Sequence, residues 1–398
     1  IFRMEDTPLV RKGVRWMVLH LFEHNARAYQ AAAAMLEQYG KAAVVHPTGT
    51  GKSYIAFKLI EDHPDAAFLW LSPSEYIFKT QLENLQKQVP DFPLGNVRFA
   101  TYARLLFCTK EQLAEIAAQH PACIIMDEFH RAGAERWGER VRKLLELCPD
   151  AKLLGLTATS VRYLDNNRDM AEELFDGHIA SEMTLGEAIV RGILPAPKYV
   201  TTVFRYQNEL AKYQARVDSM RSPGVQDANQ KYLGALRRAL EQADGLDKIF
   251  AQHITQTCGK YIVFCSGKEH MDEMVSHVSE WFAEVNRNVK IYKTYASDPE
   301  ASREFAAFKA DNGEHLKLLF CIDMLNEGVH VEGISGVILF RPTVSPIIYK
   351  QQIGRALTAG TTTAPLILDV VNNFEGLSSI SGLQKEMTAA VQRLYANG

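Results

Sequence analysis

The sequence predicts an α/β protein in which two parallel sheets follow one another along the chain, with a helical insertion near the start of the second half. Short apolar runs alternate with helix-favouring stretches through most of the 398 residues. The alternation breaks at Pro195 and Pro197, which predict a linker, and a polar, helix-favouring stretch follows at about 206–257. Strands that are apolar throughout and alternate with amphipathic helices pair in parallel, and the helices cover both faces of the sheet.

The apolar runs locate the predicted strands. They lie at 42–45, 66–71, 123–126 and 153–156 in the first half, and at 261–265, 289–292, 316–322, 337–340 and 366–371 in the second half. Amphipathic helices are predicted at Tyr76–Gln88 and Glu135–Leu147. The predicted domains are therefore residues 1–195 and 196–398, and the second domain contains the insertion at about 206–257.

Composition excludes several classes of protein. Hydrophobic residues make up 47% of the chain and charged residues 23%, which is typical of a globular protein with a buried core. The formal charge of -3 excludes a polycation, so nucleic acid would have to bind a local surface. No apolar run reaches the roughly 18 residues of a membrane helix. The six cysteines form no C-x-x-C pair, and we therefore predict a cytoplasmic protein with reduced thiols and no membrane partner.

A phosphate-binding loop is predicted between the first apolar run and a helix. The segment from His46 to Ser53 matches the pattern G-x-x-x-x-G-K-[ST], except that His46 takes the place of the first glycine. Glycines let backbone N–H groups surround phosphate oxygens, while Lys52 is expected to reach the β- and γ-phosphates of ATP and Ser53 to bind Mg²⁺. The predicted nucleotide-binding residues of this segment are Pro47, Thr48, Gly49, Thr50, Gly51, Lys52 and Ser53.

Two adjacent carboxylates, Asp127 and Glu128, follow the third apolar run. Asp127 is expected to position Mg²⁺, and Glu128 to orient or deprotonate the attacking water. By itself, such a pair could be only the polar end of a strand. With the phosphate loop upstream, the combination predicts a Mg²⁺-dependent nucleotide hydrolase.

Further motifs extend the match over residues 27–358 and resemble those of the superfamily 2 helicases and translocases. In the first half they are Arg27–Gln30, Ser72–Ser74 with Lys79, Phe99–Tyr102, Asp127–His130 and Gly155–Thr159. In the second half they are Tyr261–Ser266, Leu319–Val329 and Gln351–Leu357.

The resemblance implies two RecA-like domains with ATP and Mg²⁺ bound between them. It implies that Gln351 and Arg355 complete the catalytic set of Lys52, Asp127 and Glu128, with Arg355 as an arginine finger on the γ-phosphate. By the same resemblance, the nucleotide also contacts Arg27, Gln30 and Gly328. The resemblance further implies that hydrolysis is coupled to domain movement through His130, Thr157 and Thr159. It also implies that nucleic acid is contacted by Ser72, Lys79, Thr101, Ser266 and Asn326.

Two details refine the resemblance. The Asp127–His130 motif, together with Thr157–Arg162, is similar to that of bacterial helicases related to restriction-enzyme motor subunits of the type III res kind, and this favours DNA over RNA. Many relatives carry a second arginine three residues after the first, whereas this chain has Thr358. Either Arg355 is the single finger of this motif, or another residue such as Arg341 assists it.

Alternatives remain open at two levels. Hydroxyl residues such as Ser72, Thr101 and Ser266 are common at strand ends, Lys79 could be a solvated helix charge, and His130 could be a buried structural histidine. The motor itself could be a nucleic-acid-triggered ATP switch that does not unwind, or a module of a restriction or defence complex. Because the chain opens on an isoleucine, we expect additional domains or protein partners.

Overall fold

The described part of the chain folds into two six-stranded parallel sheets, one after the other in sequence. The computed structural model describes residues 19–133, 135–162, 168–201, 245–295, 298, 300–322, 333–341, 354, 357–358, 363–370 and 387–392. The predicted α/β class with two parallel sheets is therefore confirmed. Most of the predicted helical insertion, from residue 202 to 244, lies outside the described residues.

The first sheet brings the ends of its central strands together at one edge. The strands of the first half are β1 (Lys41–Val45), β2 (Phe68–Ser72), β3 (Val97–Thr101), β4 (Cys123–Asp127), β5 (Lys152–Thr157), β6 (Val161–Arg162), β7 (Arg168–Asp169) and β8 (Ile179–Glu182). Their order across the sheet is β3-β2-β4-β5-β1-β8, while β6 and β7 form a separate antiparallel pair. Because the sheet is parallel, the residues that follow β1, β4 and β5 meet at its carboxyl edge.

The helices of the first half connect its strands, and several of them begin at a residue whose side chain caps the helix. The helices are α1 (Glu23–Tyr39), α2 (Ser53–Asp62), α3 (Glu75–Gln88), α4 (Tyr102–Phe107), α5 (Lys110–Ala117), α6 (Glu135–Leu147), α7 (Met170–Phe175) and α8 (Leu185–Val190). The Ser74 hydroxyl accepts the Ile77 N–H at the start of α3, and Thr109 with Gln112 forms a capping box at the start of α5. These caps define where the connections end and the helices begin.

The second sheet repeats the architecture of the first. Its strands are β9 (Lys198–Thr201), β10 (Lys260–Phe264), β11 (Val289–Tyr295), β12 (Leu316–Ile322), β13 (Ile334–Leu339) and β14 (Leu366–Asp369), in the order β11-β12-β10-β13-β14-β9. The helices described in this half are α9 (Leu246–His253), α10 (Lys268–Ser276), α11 (Val278–Trp281) and α12 (Ala301–Ala310). The strand β9 comes directly after the predicted linker and already pairs with β14.

Side chains of the first sheet alternate between two separate cores. Ile125 of β4 packs in one cluster with helices α1 to α3, whereas Ile124 and Met126 pack on the opposite face with α4 to α7. This two-sided burial explains why the central strands are apolar throughout.

One core of the second sheet also contains residues of the first half. Phe264 of β10 and Leu319 of β12 belong to the same buried cluster as Ile77 of α3 and Ile189 of α8. Leu194 of the predicted linker joins this cluster as well. The two halves therefore share apolar packing at the face between them.

Each strand predicted from an apolar run coincides with a strand of the structure, and the helices predicted at 76–88 and 135–147 coincide with α3 and α6. The sequence did not reveal β3, β8 and β9 as apolar runs, and each of these lies at an edge of a sheet. No helix of the described part of the chain has both the length and the apolar character needed to cross a membrane.

Candidate functional site

The predicted phosphate loop joins β1 to α2 at the carboxyl edge of the first sheet. Gly49 and Gly51 adopt φ angles of 88° and 79°, in the left-handed region where glycine is strongly favoured. The Thr50 hydroxyl is buried and donates to the Pro47 carbonyl oxygen at 2.8 Å. The loop is therefore closed on itself by a short internal bond.

Two buried side chains of α1 support this loop from beneath. His24 Nε2 lies 2.8 Å from the Thr50 carbonyl oxygen, so this nitrogen carries the proton and donates. Asn25 Nδ2 donates to the same oxygen at 2.8 Å and to the Gly51 carbonyl oxygen at 3.2 Å. Sequence reasoning missed both residues, because they precede the loop by about one helix and one strand and belong to no motif.

The residues predicted to contact the adenine ring lie farther along α1. Arg27 is exposed and pairs with Glu23 one turn earlier, and Gln30 is exposed. The structure thus brings His24 and Asn25 to the loop, while the assignment of Arg27 and Gln30 to nucleotide stays a prediction.

His46, at the position of the missing first glycine, is buried under the loop. Its Nε2 lies 2.8 Å from the Ser181 hydroxyl of β8, and its Nδ1 has no hydrogen-bond partner among the described residues. Burial, reinforced by the positive charge of Lys52, lowers the pKa of His46 to about 3. The imidazole is therefore neutral at physiological pH.

Asp127 ends β4 and is held from two helices. Gln81 of α3 donates from Nε2 to Asp127 Oδ2 at 2.9 Å, and the Tyr102 hydroxyl of α4 donates to the Asp127 backbone oxygen at 2.9 Å. Burial and the neighbouring negative charge of Glu128 raise the pKa of Asp127, while the charge of Lys52 acts in the opposite direction. Gln81 belongs to no motif, and nothing in the sequence distinguished it from the rest of its helix.

Lys52 is itself nearly buried, with 9% of its surface exposed, although lysine rarely is. Its Nζ lies 3.3 Å from the Pro47 carbonyl oxygen of the loop. A nearly buried cation is therefore placed at the phosphate loop.

Glu128 has a strained backbone and a well-supported carboxylate. Its φ of 50° lies in the left-handed region, which a residue with a side chain rarely adopts and which often marks functional sites. Its Oε2 lies 3.3 Å from the Thr157 hydroxyl and accepts the Ala158 N–H at 3.4 Å. The end of β5 therefore supports the carboxylate that follows β4.

The three residues predicted to couple hydrolysis to domain movement form one network. His130 Nδ1 lies 2.7 Å from the Thr157 hydroxyl oxygen, and that hydroxyl lies 2.8 Å from the Thr159 carbonyl oxygen. Because a hydroxyl has a single proton and the Thr159 oxygen is its nearest carbonyl, Thr157 donates to Thr159 and accepts from His130. His130 Nδ1 also lies 3.4 Å from Glu128 Oε2, so the network reaches the carboxylate.

A short segment of the second half lies directly on the phosphate loop. A Cβ atom built on Gly49 would lie 2.0 Å from the Leu357 carbonyl oxygen, and one built on Gly354 would lie 3.3 Å from Thr48 Cβ. Backbone at Gly354 and Leu357, both in the predicted Gln351–Leu357 motif, is thus in close contact with the phosphate loop. Gln351 and Arg355 of this segment, and Asn326 and Gly328 before it, lie outside the described residues and stay predictions.

The residues predicted to contact nucleic acid lie at the carboxyl ends of strands. Ser72 and Thr101 are register partners at the ends of β2 and β3, and Ser266 follows β10. Thr101 caps α4, Lys79 is exposed on α3, and Ser266 is exposed with its hydroxyl 2.8 Å from His270 Nδ1. Ser72 is completely buried, and its hydroxyl has no hydrogen-bond partner among the described residues. Its side chain is therefore not accessible to nucleic acid in this structure.

Both halves of the chain match known protein families. Residues 19–162 match the family "Type III restriction enzyme, res subunit", and residues 242–360 match the "Helicase conserved C-terminal domain". A curated relative, the "51.5 kDa protein" of Lactococcus phage (isolate 7-9), is 23% identical over 333 residues, which are 82% of this chain and 65% of that protein.

Solved structures share the fold at low sequence identity. The ATP-dependent Type ISP restriction-modification enzyme LlaBIII bound to DNA aligns with 93% of this chain and 30% of its own, at a TM-score of 0.60 and 16% identity. The Escherichia coli DEAH/RHA helicase HrpB aligns with 88% of this chain and 43% of its own, at a TM-score of 0.57 and 16% identity. S. cerevisiae Dbp5, bound to RNA and ADP BeF3, aligns with 92% of both chains at a TM-score of 0.55 and 14% identity.

These likenesses establish two RecA-like domains in tandem as the fold. The chain spans about two thirds of the length of the phage relative and under a third of the restriction-modification enzyme.

Proposed function

Because this chain belongs to the superfamily 2 helicases of the restriction-enzyme type, we propose that it is an ATP-dependent nucleic-acid motor, a helicase or translocase that acts on DNA. The observation that carries the proposal is the convergence at one sheet edge of a glycine-supported loop, a buried lysine and two carboxylates, with backbone of the second half on that loop. Such an arrangement suits hydrolysis that depends on how the two halves meet.

ATP is proposed to bind with its phosphates on the loop of residues 47–53. The left-handed Gly49 and Gly51 allow consecutive N–H groups to turn inward, and the start of α2 adds the positive end of a helix. Lys52 then neutralises the β- and γ-phosphates. Removal of its side chain takes away the charge that the loop cannot replace.

The residues around Asp127 fit a magnesium ion. The Ser53 hydroxyl and the Asp127 carboxylate are hard oxygen donors of the kind that Mg²⁺ prefers, and the charge of Lys52, next to Ser53, reaches Asp127. Within the described ranges, no group of three or more His, Cys, Asp or Glu side chains is placed to hold a metal. Mg²⁺ in nucleotide sites commonly binds through one or two protein oxygens and the substrate phosphates. When bound, the ion would be held by Ser53 and Asp127 and would stabilise the negative charge of the phosphates.

Glu128 is proposed to orient and deprotonate the attacking water. The Ala158 N–H donates to one oxygen of this carboxylate, Oε2, at 3.4 Å. A carboxylate held in this way can hold a water in one direction without rearranging during the reaction. His130 and Thr157 connect this carboxylate to the loop after β5, and movement of that loop would change the position of the base.

The second half is proposed to complete the site through Arg355. Gly354 and Leu357, on either side of this arginine in sequence, contact Thr48 and Gly49. A guanidinium delivered from this segment would stabilise charge on the transferring phosphoryl group.

DNA is proposed to cross the carboxyl edges of both sheets, near Thr101, Lys79 and Ser266. Contacts there are expected to go mainly to phosphates and sugars, because a motor must step without reading sequence. DNA is favoured over RNA by the match of residues 19–162 to a restriction-enzyme family. Such binding should weaken steeply with salt despite the formal charge of -3.

The proposal is tested by ATP turnover in the presence of single- and double-stranded DNA and RNA. We expect DNA to stimulate turnover at least about tenfold, since a motor couples hydrolysis to its track. The Lys52→Ala variant should lose turnover by about 100-fold or more, because a positioned charge at the phosphates is worth several kcal/mol. The matched control is Lys110→Ala, an exposed lysine of α5. Full turnover in Lys52→Ala would contradict the site, and stimulation by RNA alone would contradict the choice of DNA.

A second candidate is a translocase or ATP switch that serves a larger restriction or defence assembly and does not separate strands. It is favoured by the match to the type III res subunit family and by the small share of the restriction-modification enzyme that this chain covers. A strand-displacement assay under conditions of DNA-stimulated turnover distinguishes the two: displaced strand supports a helicase, and turnover without displacement supports the second candidate.

A further inference from the structure

Gln81 is the one described side chain outside the sequence motifs that donates to the proposed magnesium carboxylate. Its Nε2 lies 2.9 Å from Asp127 Oδ2, across 46 residues of sequence. We propose that Gln81 is a positioning residue that orients the Asp127 carboxylate for Mg²⁺ and connects it to α3. The assignment rests on the proposed function, since it concerns the same nucleotide site.

The amide of Gln81 is oriented by its bond to Asp127. Its Oε1 is buried and has no hydrogen-bond partner among the described residues. A buried amide oxygen without a hydrogen-bond partner lowers the stability of the fold. A glutamine with such an oxygen is therefore expected only where the NH₂ group of its amide has a role. The unpaired oxygen therefore makes simple packing a poor explanation of a glutamine at this position.

The bond constrains the carboxylate and leaves it able to bind a cation. Gln81 engages Oδ2 alone, while Tyr102 holds the backbone oxygen of the same residue. A neutral amide orients the carboxylate without the positive charge that would repel a metal. Partners of metal-binding carboxylates commonly act in this way, and their loss typically weakens metal binding about 10- to 100-fold.

Helix α3, which carries Gln81, also contacts the second half of the molecule. The Tyr76 ring packs edge-on against the Phe305 ring of α12 with 5.2 Å between centroids, and Glu83 pairs with Lys309 at 3.2 Å. Gln81 lies between these two contacts in sequence. A shift of α3 with the second half would therefore move the donor that orients Asp127, so that magnesium binding depends on how the halves are arranged.

The test measures magnesium binding without turnover. The Mg²⁺ concentration that gives half-maximal binding of a fluorescent ADP is compared in wild type, Gln81→Met and Gln86→Met. Methionine is close to glutamine in shape and cannot donate, and Gln86 is an exposed residue of the same helix. For Gln81→Met we expect the Mg²⁺ concentration at half-maximal ADP binding to rise at least about tenfold. ADP binding in the absence of Mg²⁺ should not change. Gln86→Met should behave as wild type.

The outcomes separate this assignment from the proposed function. A folded Gln81→Met protein with the magnesium requirement of wild type would overturn the positioning role while leaving the nucleotide site intact. Failure of wild type itself to bind ADP with Mg²⁺ would overturn the proposed function and this assignment with it. Cooperative unfolding in urea shows whether Gln81→Met is folded. If it is not folded, Gln81→Leu takes its place in the comparison.

Discussion

Among single residues, the candidate site is supported by hydrogen bonds that the sequence motifs do not reveal. The Asn25 amide holds two carbonyl oxygens of the phosphate loop, and the Thr157 hydroxyl connects the acidic motif to the strand beside it. Glu128 has an unfavourable backbone conformation that its neighbours maintain. The chemistry of the motif residues therefore depends on buried polar partners from other elements.

The buried His46 predicts how stability depends on pH. Its pKa is about 3 in the folded protein against 6.5 for a free imidazole, so the unfolded chain binds more protons between these values. The contribution of the neutral His46 to the free energy of unfolding is complete above pH 6.5 and is lost as the pH falls toward 3. Between about pH 7.5 and about pH 5 the loss from this residue should be about 2 kcal/mol, at 1.4 kcal/mol per unit of pKa.

The measurement is urea unfolding of wild type and His46→Gln at a series of pH values. Glutamine retains a polar group near Ser181 and does not titrate, so the free energy of unfolding should fall less steeply below pH 6.5 in the variant. Parallel curves for the two proteins would contradict burial of a neutral imidazole beneath the loop.

The candidate residues also show what sequence can and cannot reveal at this scale. Lys52, Asp127 and Glu128 were predictable because each lies in a short local motif whose spacing reflects a turn or a strand end. His24, Asn25 and Gln81 were not, because their partners lie 26, 25 and 46 residues away and only the fold brings them together.

Among the elements, the central strands of both sheets and the edge strand β11 were predictable, whereas the edge strands β3, β8 and β9 were not. The central β4 is buried at every position, which produces an uninterrupted apolar run. In the edge strand β3 only Ala100 is buried, and no residue of the edge strand β8 is, so their sequences contain polar residues. Strand β3 was noticed only through the motif at its end.

The phosphate loop after β1 contacts backbone of the second half, and substitution of Gly49 tests this contact. Alanine at Gly49 requires a left-handed φ of 88° and places a Cβ atom 2.0 Å from the Leu357 carbonyl oxygen. Strain and displaced packing together should lower the free energy of unfolding by about 1–3 kcal/mol.

The matched control is Gly95→Ala, where a Cβ atom meets nothing within 4 Å. Urea unfolding of Gly95→Ala should agree with wild type within about 0.5 kcal/mol. Equal stability of Gly49→Ala and Gly95→Ala would show that the second half does not press on the loop in solution.

At the scale of the whole molecule, the two halves are joined by packing as well as by the chain. Ile77 and Ile189 of the first half share a core with Phe264 and Leu319 of the second, and Leu357 belongs to the same cluster. The face that carries the proposed nucleotide site is thus partly apolar. Separation of the two halves would expose that cluster to water, at a cost of about 25 cal/mol for each Å² of apolar surface.

Single-turnover hydrolysis of ATP by Arg355→Ala, with DNA present, measures what the second half contributes to hydrolysis. The exposed Arg303 of α12 supplies the control variant Arg303→Ala. We predict that Arg355→Ala binds nucleotide as wild type does but hydrolyses it at least about 100-fold more slowly, because an arginine finger stabilises charge that develops only in the transition state. Hydrolysis by Arg355→Ala at the rate of wild type and of Arg303→Ala would contradict the proposal that the second half completes the site through Arg355.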